Sequence, residues 1–182
     1  MAHIAKYKAA SCGHMLAHYR RDASSLGREN IDPTRTKGNY TLGLDDRDGK
    51  VRAMDGIEPN WATVEGRIER VNKAAKAAGK RAVRKDAVVM RPVVLQLDPE
   101  WFEEHNPSWR MTGLNSQARK HVSAQLKWAR QEFGHENLVA YSMHLDETSP
   151  QLQLLVTPVT NDGRLSQKDF FKGPSDLRRQ HK

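Results

Sequence analysis

Between positions 144 and 153 the chain reads His-Leu-Asp-Glu-Thr-Ser-Pro-Gln-Leu-Gln. Imidazole nitrogen, carboxylate oxygen and amide oxygen, all ligand atoms for a divalent ion, are concentrated in this short stretch. His144 follows an apolar run that begins at Leu138, and Gln151 and Gln153 alternate with Leu152 and Leu154 at the start of the next run. Strand side chains alternate faces, so the two glutamines project together, and His144 joins them if its strand lies alongside. An open-sided metal site on a sheet is built in this way. The set His144, Gln151 and Gln153 is neutral, so it holds an ion loosely unless Asp146, Glu147 or a phosphate oxygen adds negative charge. Such an ion polarises phosphoryl oxygens, and cleaving a phosphodiester also needs a nucleophile in line with the leaving oxygen. The same alternation equally describes a solvent-facing polar side of a strand with no chemistry.

A candidate nucleophile stands upstream, in Met15-Leu-Ala-His18-Tyr-Arg-Arg21. A neutral histidine nitrogen can attack phosphorus and form a phosphoramidate when a neighbouring base or carboxylate keeps the ring neutral and oriented. Tyr19 and Tyr40 can do the same through oxygen. Arg20, Arg21, Arg35, Lys37, Arg84 and Lys85 are candidates to contact phosphates, although each taken singly is equally a solvated charge.

These residues must be carried by a soluble scaffold of limited size. The 182 residues suffice for one well-cored domain and are too few for two comfortable ones. Thirty Lys and Arg against 22 Asp and Glu leave a formal charge of +8, which favours a polyanionic partner such as nucleic acid. The single cysteine, Cys12, cannot form an internal disulfide, and neither an apolar run of membrane-spanning length nor a signal-peptide pattern occurs. A cytosolic protein is expected.

Periodicity places the elements. A helix is expected over 13–22 and an extended piece over 40–44, followed by a loop over 45–49. Trp61, Val64, Ile68, Val71 and Ala75 recur at three and four, which predicts one helix from Pro59 to about Gly79, with Arg67, Arg70, Lys73 and Lys76 on its other face. Strands are expected over 87–89 and 93–97, separated by Pro92, and a short helical turn over 100–104. A second amphipathic helix is expected from about Asn115 to Phe133, stopped by Gly134. The strands 139–145 and 152–159 are close enough in sequence to pair antiparallel, and Asn161-Asp-Gly163 turns the chain away. The sum is an α+β domain: an antiparallel sheet of about five strands with two main helices covering one face. The basic stretch Arg178-Arg-Gln-His-Lys182 carries no stop signal, so the chain is expected to be the front part of a longer protein.

Three separated segments together resemble one family, the Mob/Pre plasmid mobilisation and recombination proteins, which are MobV-type relaxases of the HUH endonuclease superfamily. The first is His18-Tyr-Arg-Arg21 with Asn30-Ile-Asp-Pro-Thr-Arg35 and Asn39-Tyr-Thr-Leu42, the second Val83-Arg-Lys-Asp-Ala-Val88, and the third residues 144–153. The last is similar to the pattern His-x-Asp-Glu-x-x-Pro-His-x-His in frame, with Gln151 and Gln153 in place of its final two histidines. The resemblance implies a single relaxase domain over 1–182 that binds plasmid origin-of-transfer DNA, single-stranded or hairpin, in the bacterial cytoplasm. It implies nicking of one strand and covalent retention of the 5′ phosphate. The implied nucleophile falls on His18, with Tyr19, where many relatives have Asn, and Tyr40 as the other candidates. Glu147 would orient or deprotonate it and Arg21 would clamp the scissile phosphate. His144, Gln151 and Gln153 fall on the positions that hold the metal, Mn²⁺ or Mg²⁺, and Arg20, Arg35, Lys37, Asn39, Tyr40, Arg84 and Lys85 would contact DNA. Oligomerisation through a region beyond Lys182 fits the same picture. The glutamine pair leaves three readings open: a site tuned to Mg²⁺ or Mn²⁺, a relative that binds the origin hairpin without nicking, or an introduced double substitution.

Overall fold

The computed structural model describes residues 2–4 as backbone, and 6–22, 30–45, 50–54 and 56–171 in full. Most of the expected 45–49 loop and the basic stretch 178–182 lie outside these residues.

Four strands build the centre of the sheet: β3 (Tyr40–Leu44), β5 (Val88–Gln96), β6 (Leu138–His144) and β7 (Gln151–Val156). Their Val- and Leu-rich runs bury on both faces, which suits strands covered from two sides. Two short strands, β1 (Ala2–Ile4) and β4 (Val51–Ala53), close the edges, giving the order β1-β5-β7-β6-β3-β4. Every neighbouring pair in that path is antiparallel. A further two-residue strand, β2 (Tyr7–Lys8), pairs with the beginning of β5.

The fold class is as expected from sequence, and the strand count differs for two physical reasons. Three-residue edge strands are too short to show an alternation, so β1 and β4 are silent in the sequence. Conversely, the two expected strands around Pro92 are one, β5. Pro92 lies opposite the gap between β1, whose ladder ends at Ile4–Val93, and β2, whose ladder starts at Tyr7–Met90. A missing N–H costs least where no partner strand stands.

Helices cover both faces of the sheet rather than one. Leu152, Leu154 and Val156 of β7 pack with Phe102, Trp109, Val122 and Phe133, which belong to α3 (Pro99–His105), α4 (Trp109–Thr112) and α5 (Ser116–Phe133). Leu155 points the opposite way and packs with Leu16 of α1 (Cys12–Arg20) and Val64 of α2 (Ile57–Ala77). A short α6 (Gln167–Phe170) follows the turn at Gly163. The ends of α5 are as the sequence states them: Asn115 accepts a hydrogen bond from the Ala118 N–H, and Gly134 leaves the helix at φ +82°.

Arg67 departs from its expected place on the solvent face of α2. It is buried, and its guanidinium donates to the carbonyls of Asn137 (2.8 Å) and Leu138 (2.7 Å), tying α2 to the start of β6. Arg70, Lys73 and Lys76 are exposed or partly exposed. The α1/α2 face is apolar at one end and polar at the other, because Ser142 and His144 of β6 lie opposite Gln153 and Gln151 of β7.

Candidate active site

The register sets His144 directly across from Gln151, and Ser142 from Gln153, so the imidazole and both amides stand on one face. Helix α1 packs over this face and delivers His18. Its ring is nearly perpendicular to that of His144, with centroids 5.5 Å apart. The turn after β6 delivers Glu147. Ligand-type atoms of His18, His144 and Glu147 lie within 4.8 Å of one another, and no other such trio of histidine, cysteine or acidic side chains occurs among the described residues.

Arg21 organises the carboxylates. It ends α1 in the left-handed conformation, φ +57° and ψ +39°, a region that a non-glycine residue adopts at some cost when surrounding contacts impose it. The contacts here are a buried ion network. Arg21 Nε and Nη2 donate to the two Asp146 oxygens (3.0 and 2.9 Å), Nη2 also donates to Glu147 Oε1 (2.5 Å), and Nη1 lies 3.2 Å from the His18 ring nitrogens. Burial alone would raise the Asp146 carboxyl, but the Arg21 hydrogen bonds and charge, with Thr36 Oγ1 at 3.0 Å, outweigh it and hold it below its usual range. Glu147 behaves likewise: burial opposes ionisation, and hydrogen bonds from His144 and Arg21 overcome it. Both acids are therefore anions that share one cation, so the cluster of Arg21, Asp146 and Glu147 carries a net negative charge.

Beside His18 and Glu147, donors for a metal come from His144 and the glutamines. His144 Nδ1 faces Glu147 Oε1 at 3.2 Å, while its Nε2 is buried without a hydrogen-bond partner. An imidazole held by a carboxylate on one nitrogen, with the other nitrogen open, is the arrangement of a metal-binding histidine. Gln153 Nε2 donates to Gln151 Oε1 (3.0 Å) and reaches Glu147 Oε1 (3.5 Å). With the Glu147 carboxylate these imidazole and amide oxygen donors fit a hard divalent ion.

Of the other candidate nucleophiles, Tyr19 packs its ring edge-on against His144, with centroids 5.9 Å apart, but turns its hydroxyl away. The Tyr19 hydroxyl is buried and donates to the Leu154 carbonyl (2.9 Å), and burial raises its ionisation well above the ordinary phenol value. Tyr40 pairs with Met143, whose side chain belongs to the α5 face, so Tyr40 stands on the far side of the sheet from His144.

The candidate DNA-contact residues divide into three groups. Arg35 is a strut: it pairs with Asp32 (2.9 Å), donates to the carbonyls of Leu145 (2.6 Å) and Glu147 (3.2 Å), and its guanidinium lies 5.3 Å from the Trp109 ring. Asn39 Oδ1 accepts from the Leu145 N–H (2.6 Å), so it too holds the turn that carries Glu147. Lys37 is exposed beside this turn, and Arg20 is half-buried with Asp22 at 3.5 Å. Arg84 and Lys85 are exposed before the start of β5, at the opposite end of that strand from Gln96, the residue paired with Gln151. Along β5 that separation is about 26 Å at the usual strand rise. Arg84 borders a cleft of ≈ 530 Å³ that also contains Lys80, Arg81 and Lys168, and Lys85 is its chain neighbour.

Asp146 is the site residue whose part the sequence understates. Its adjacency to Glu147 marks it as a possible ion ligand, yet its work is to fix Arg21. Only the pairing across 125 residues reveals that.

The two-faced antiparallel sheet is the fold of a relaxase domain. The chain matches the MobM relaxase domain (MOBV; Mob_Pre), a Mn-bound crystal structure with plasmid pMV158 oriT DNA, at a TM-score of 0.72 and 25% identity over 98% of this chain and 79% of that one. The chain belongs to the Mob_Pre family, plasmid recombination enzyme, whose model matches residues 1–182. It is 28% identical over 172 residues to a plasmid recombination enzyme of Lactiplantibacillus plantarum, and 27% identical over 166 residues to a plasmid recombination enzyme type 2 of Staphylococcus aureus. These matches cover 94% and 91% of this chain but 41% and 34% of the relatives, so the chain spans well under half their length.

Proposed function

We propose that this chain is the DNA-nicking domain of a plasmid relaxase, acting at an origin of transfer in the bacterial cytoplasm. The observation that carries the reading is the convergence of His18, His144, Glu147 and Arg21 on one point in a member of the Mob_Pre family.

His18 is the nucleophile because it is the candidate that is both partly accessible and at the site, whereas the Tyr19 hydroxyl is committed to a backbone carbonyl. One ring nitrogen attacks phosphorus, a P–N bond forms and the bond from phosphorus to the 3′ oxygen breaks. The ring N–H proton and the proton taken by the 3′ oxygen are exchanged with solvent, and the 5′ phosphate stays on the protein. Glu147, held anionic, is a poor proton acceptor and serves as a positioning residue through His144 and Arg21. Mn²⁺ or Mg²⁺ at His144, Gln151 and Gln153 would polarise the phosphoryl oxygens. Lys37 and the basic residues Arg84 and Lys85 track the DNA backbone, and the segment that the longer relatives carry beyond this domain is a candidate for oligomerisation.

Incubation with an origin oligonucleotide and Mn²⁺ should give a detergent-stable protein–DNA adduct that His18→Ala abolishes and Tyr19→Phe retains. An adduct that survives His18→Ala would assign the nucleophile elsewhere.

A second reading has its own observation, the hydrogen bond between the two glutamine amides, which engages the Gln151 oxygen without an ion. On that reading the chain binds the origin hairpin and does not cut. It predicts salt-dependent binding with no adduct in any metal, and nicking that appears only when Gln151→His and Gln153→His are made together.

A further inference from the structure

The edge of the sheet beyond β6 has an aromatic side that the His18 site does not use. Tyr40 pairs with Met143, and Leu42 with Tyr141, so Tyr40, Leu42 and Tyr141 stand together on the α5 face. Ala53 of β4 pairs with Leu42 and Val51 with Leu44, which extends that face to the edge strand. The helices of this side pack over β5, β7 and β6, and Tyr40 (38%) and Val51 (37%) are left exposed. They are two of the three large apolar side chains exposed among the described residues, the third being Met111 on α4. A soluble domain leaves contiguous apolar surface open mainly where something binds.

Helix α5 supplies the charge. Arg119, Leu126 and Arg130 recur at seven and four and share one flank of α5, while His121 on the other flank stacks on Trp101 of α3. Partial burial raises the ionisation of the Tyr40 and Tyr141 hydroxyls. The Arg119 charge opposes that rise at Tyr40, as the Arg130 charge does at Tyr141, so one guanidinium stands near each ring. Arg119 is oriented by its Nε bond to the Leu114 carbonyl (2.9 Å). Both arginines are exposed, and α5 carries Arg119, Lys120, Lys127 and Arg130 against Glu132 alone. Rings set beside cations are complementary to unpaired nucleic acid, whose bases stack on aromatics whatever their sequence and whose phosphates need positive partners. A second copy of the same face fits poorly, because a two-fold contact brings these like charges together. The face also begins next to the His18 site: Asn39, the chain neighbour of Tyr40, accepts from the Leu145 N–H in the turn that carries Glu147. We propose that Tyr40, Tyr141, Arg119 and Arg130 form a second DNA site, on the opposite side of the sheet from His18. It holds a single-stranded flank of the origin where the strand leaves the His18 site around that turn, with bases on the two rings and phosphates on the two guanidiniums. This rests on the reading of the chain as an origin-binding relaxase domain.

The test measures binding by fluorescence anisotropy in EDTA, with a trimmed origin oligonucleotide and with the same oligonucleotide extended by a thymidine flank on its 5′ or its 3′ side. One of the two extensions should tighten binding by about 10-fold or more, and Tyr40→Leu with Tyr141→Leu, which keeps the apolar cover and removes the flat rings, should cancel that gain. Arg119→Gln with Arg130→Gln leaves the rings in place and should make the slope of log affinity against log salt shallower by about 1.4 for the extended oligonucleotide. Iododeoxyuridine placed in the flank should cross-link under ultraviolet light to Tyr40 or Tyr141 of the unaltered protein, located by peptide mapping, a readout that does not depend on how any variant folds. An extension that adds no affinity, a gain that survives both pairs of changes, or cross-links confined to the His18 side would overturn the proposal. So would a dimer in sedimentation velocity that the tyrosine changes dissociate, which would make the face a subunit contact. Failure of the trimmed oligonucleotide to bind the unaltered protein would instead sink the underlying reading of the chain as an origin-binding domain.

Discussion

At the scale of single residues, the site is governed by Arg21. One guanidinium holds Asp146 and Glu147 and lies against His18, so a change at either acid propagates to the proposed nucleophile. Asp146→Asn leaves Arg21 paired with Glu147 but weakens two buried charge-assisted hydrogen bonds to the guanidinium, and it should destabilise the domain by about 2 kcal/mol at pH 7. The Asp146 carboxyl is held below its usual range in the folded chain, so its contribution is fully present above the unfolded value of about 3.9 and is lost as pH falls through the lowered folded value. Urea unfolding at pH 7 and again at pH 3 should therefore show a large gap between the two proteins at neutrality and a smaller one in acid. Tyr19→Phe is the contrasting change. It removes one buried hydrogen bond to the Leu154 carbonyl and should cost about 1–2 kcal/mol by the same measurement, with adduct formation preserved.

At the scale of elements, the site depends on how closely α1 and α2 approach the sheet. Gly43 in β3 admits that approach: a Cβ built there would collide with the Oδ1 of buried Asn60 in α2, whose own amide donates to the Gly56 carbonyl. Gly43→Ala should displace the Asn60 side chain, break its hydrogen bond to Gly56 and lower stability by about 1 kcal/mol, read as a fall in melting temperature. The element boundaries are largely legible in the sequence, because α5 has a capping asparagine and a terminating glycine, and α2 has its apolar stripe. The face that each helix covers is not legible there. An amphipathic pattern says that a helix has a buried side, and nothing in it says which side of a sheet receives it. Arg67 shows the same limit, since an arginine opposite a stripe reads as solvated until two backbone carbonyls are found at its tip.

At the scale of the whole molecule, positive charge is found at two places about a strand's length apart: beside the His18 site, and around Lys80, Arg81, Arg84 and Lys85 at the other end of β5. Among the described residues no helix is long and apolar enough to cross a membrane. If one DNA molecule spans both regions, changing Lys80, Arg81 and Lys85 together to Glu should weaken binding by a similar factor for all sequences. The slope of log affinity against log salt should also become shallower by about two, because fewer phosphates are then neutralised by the protein. Anisotropy titrations over a series of salt concentrations would measure this, and an unchanged slope would confine DNA to the His18 end.

By itself, the amino-acid sequence determined the fold class, the pairing of the two strands that flank residues 145–150, and the shared face of His144, Gln151 and Gln153. Those properties follow from periodicity and short-range connection, which are local. Tertiary structure alone decided that His18 reaches His144 and Glu147, that Tyr19 is a buried hydrogen-bond donor, and that Arg35 and Asn39 hold a turn. It also decided that one Arg21 is shared by both site carboxylates. Those are contacts between residues about a hundred or more apart in the chain. A pattern in the chain can supply the donors of an ion site, but the net charge that an ion meets there depends on which distant side chain has already paired with its acids.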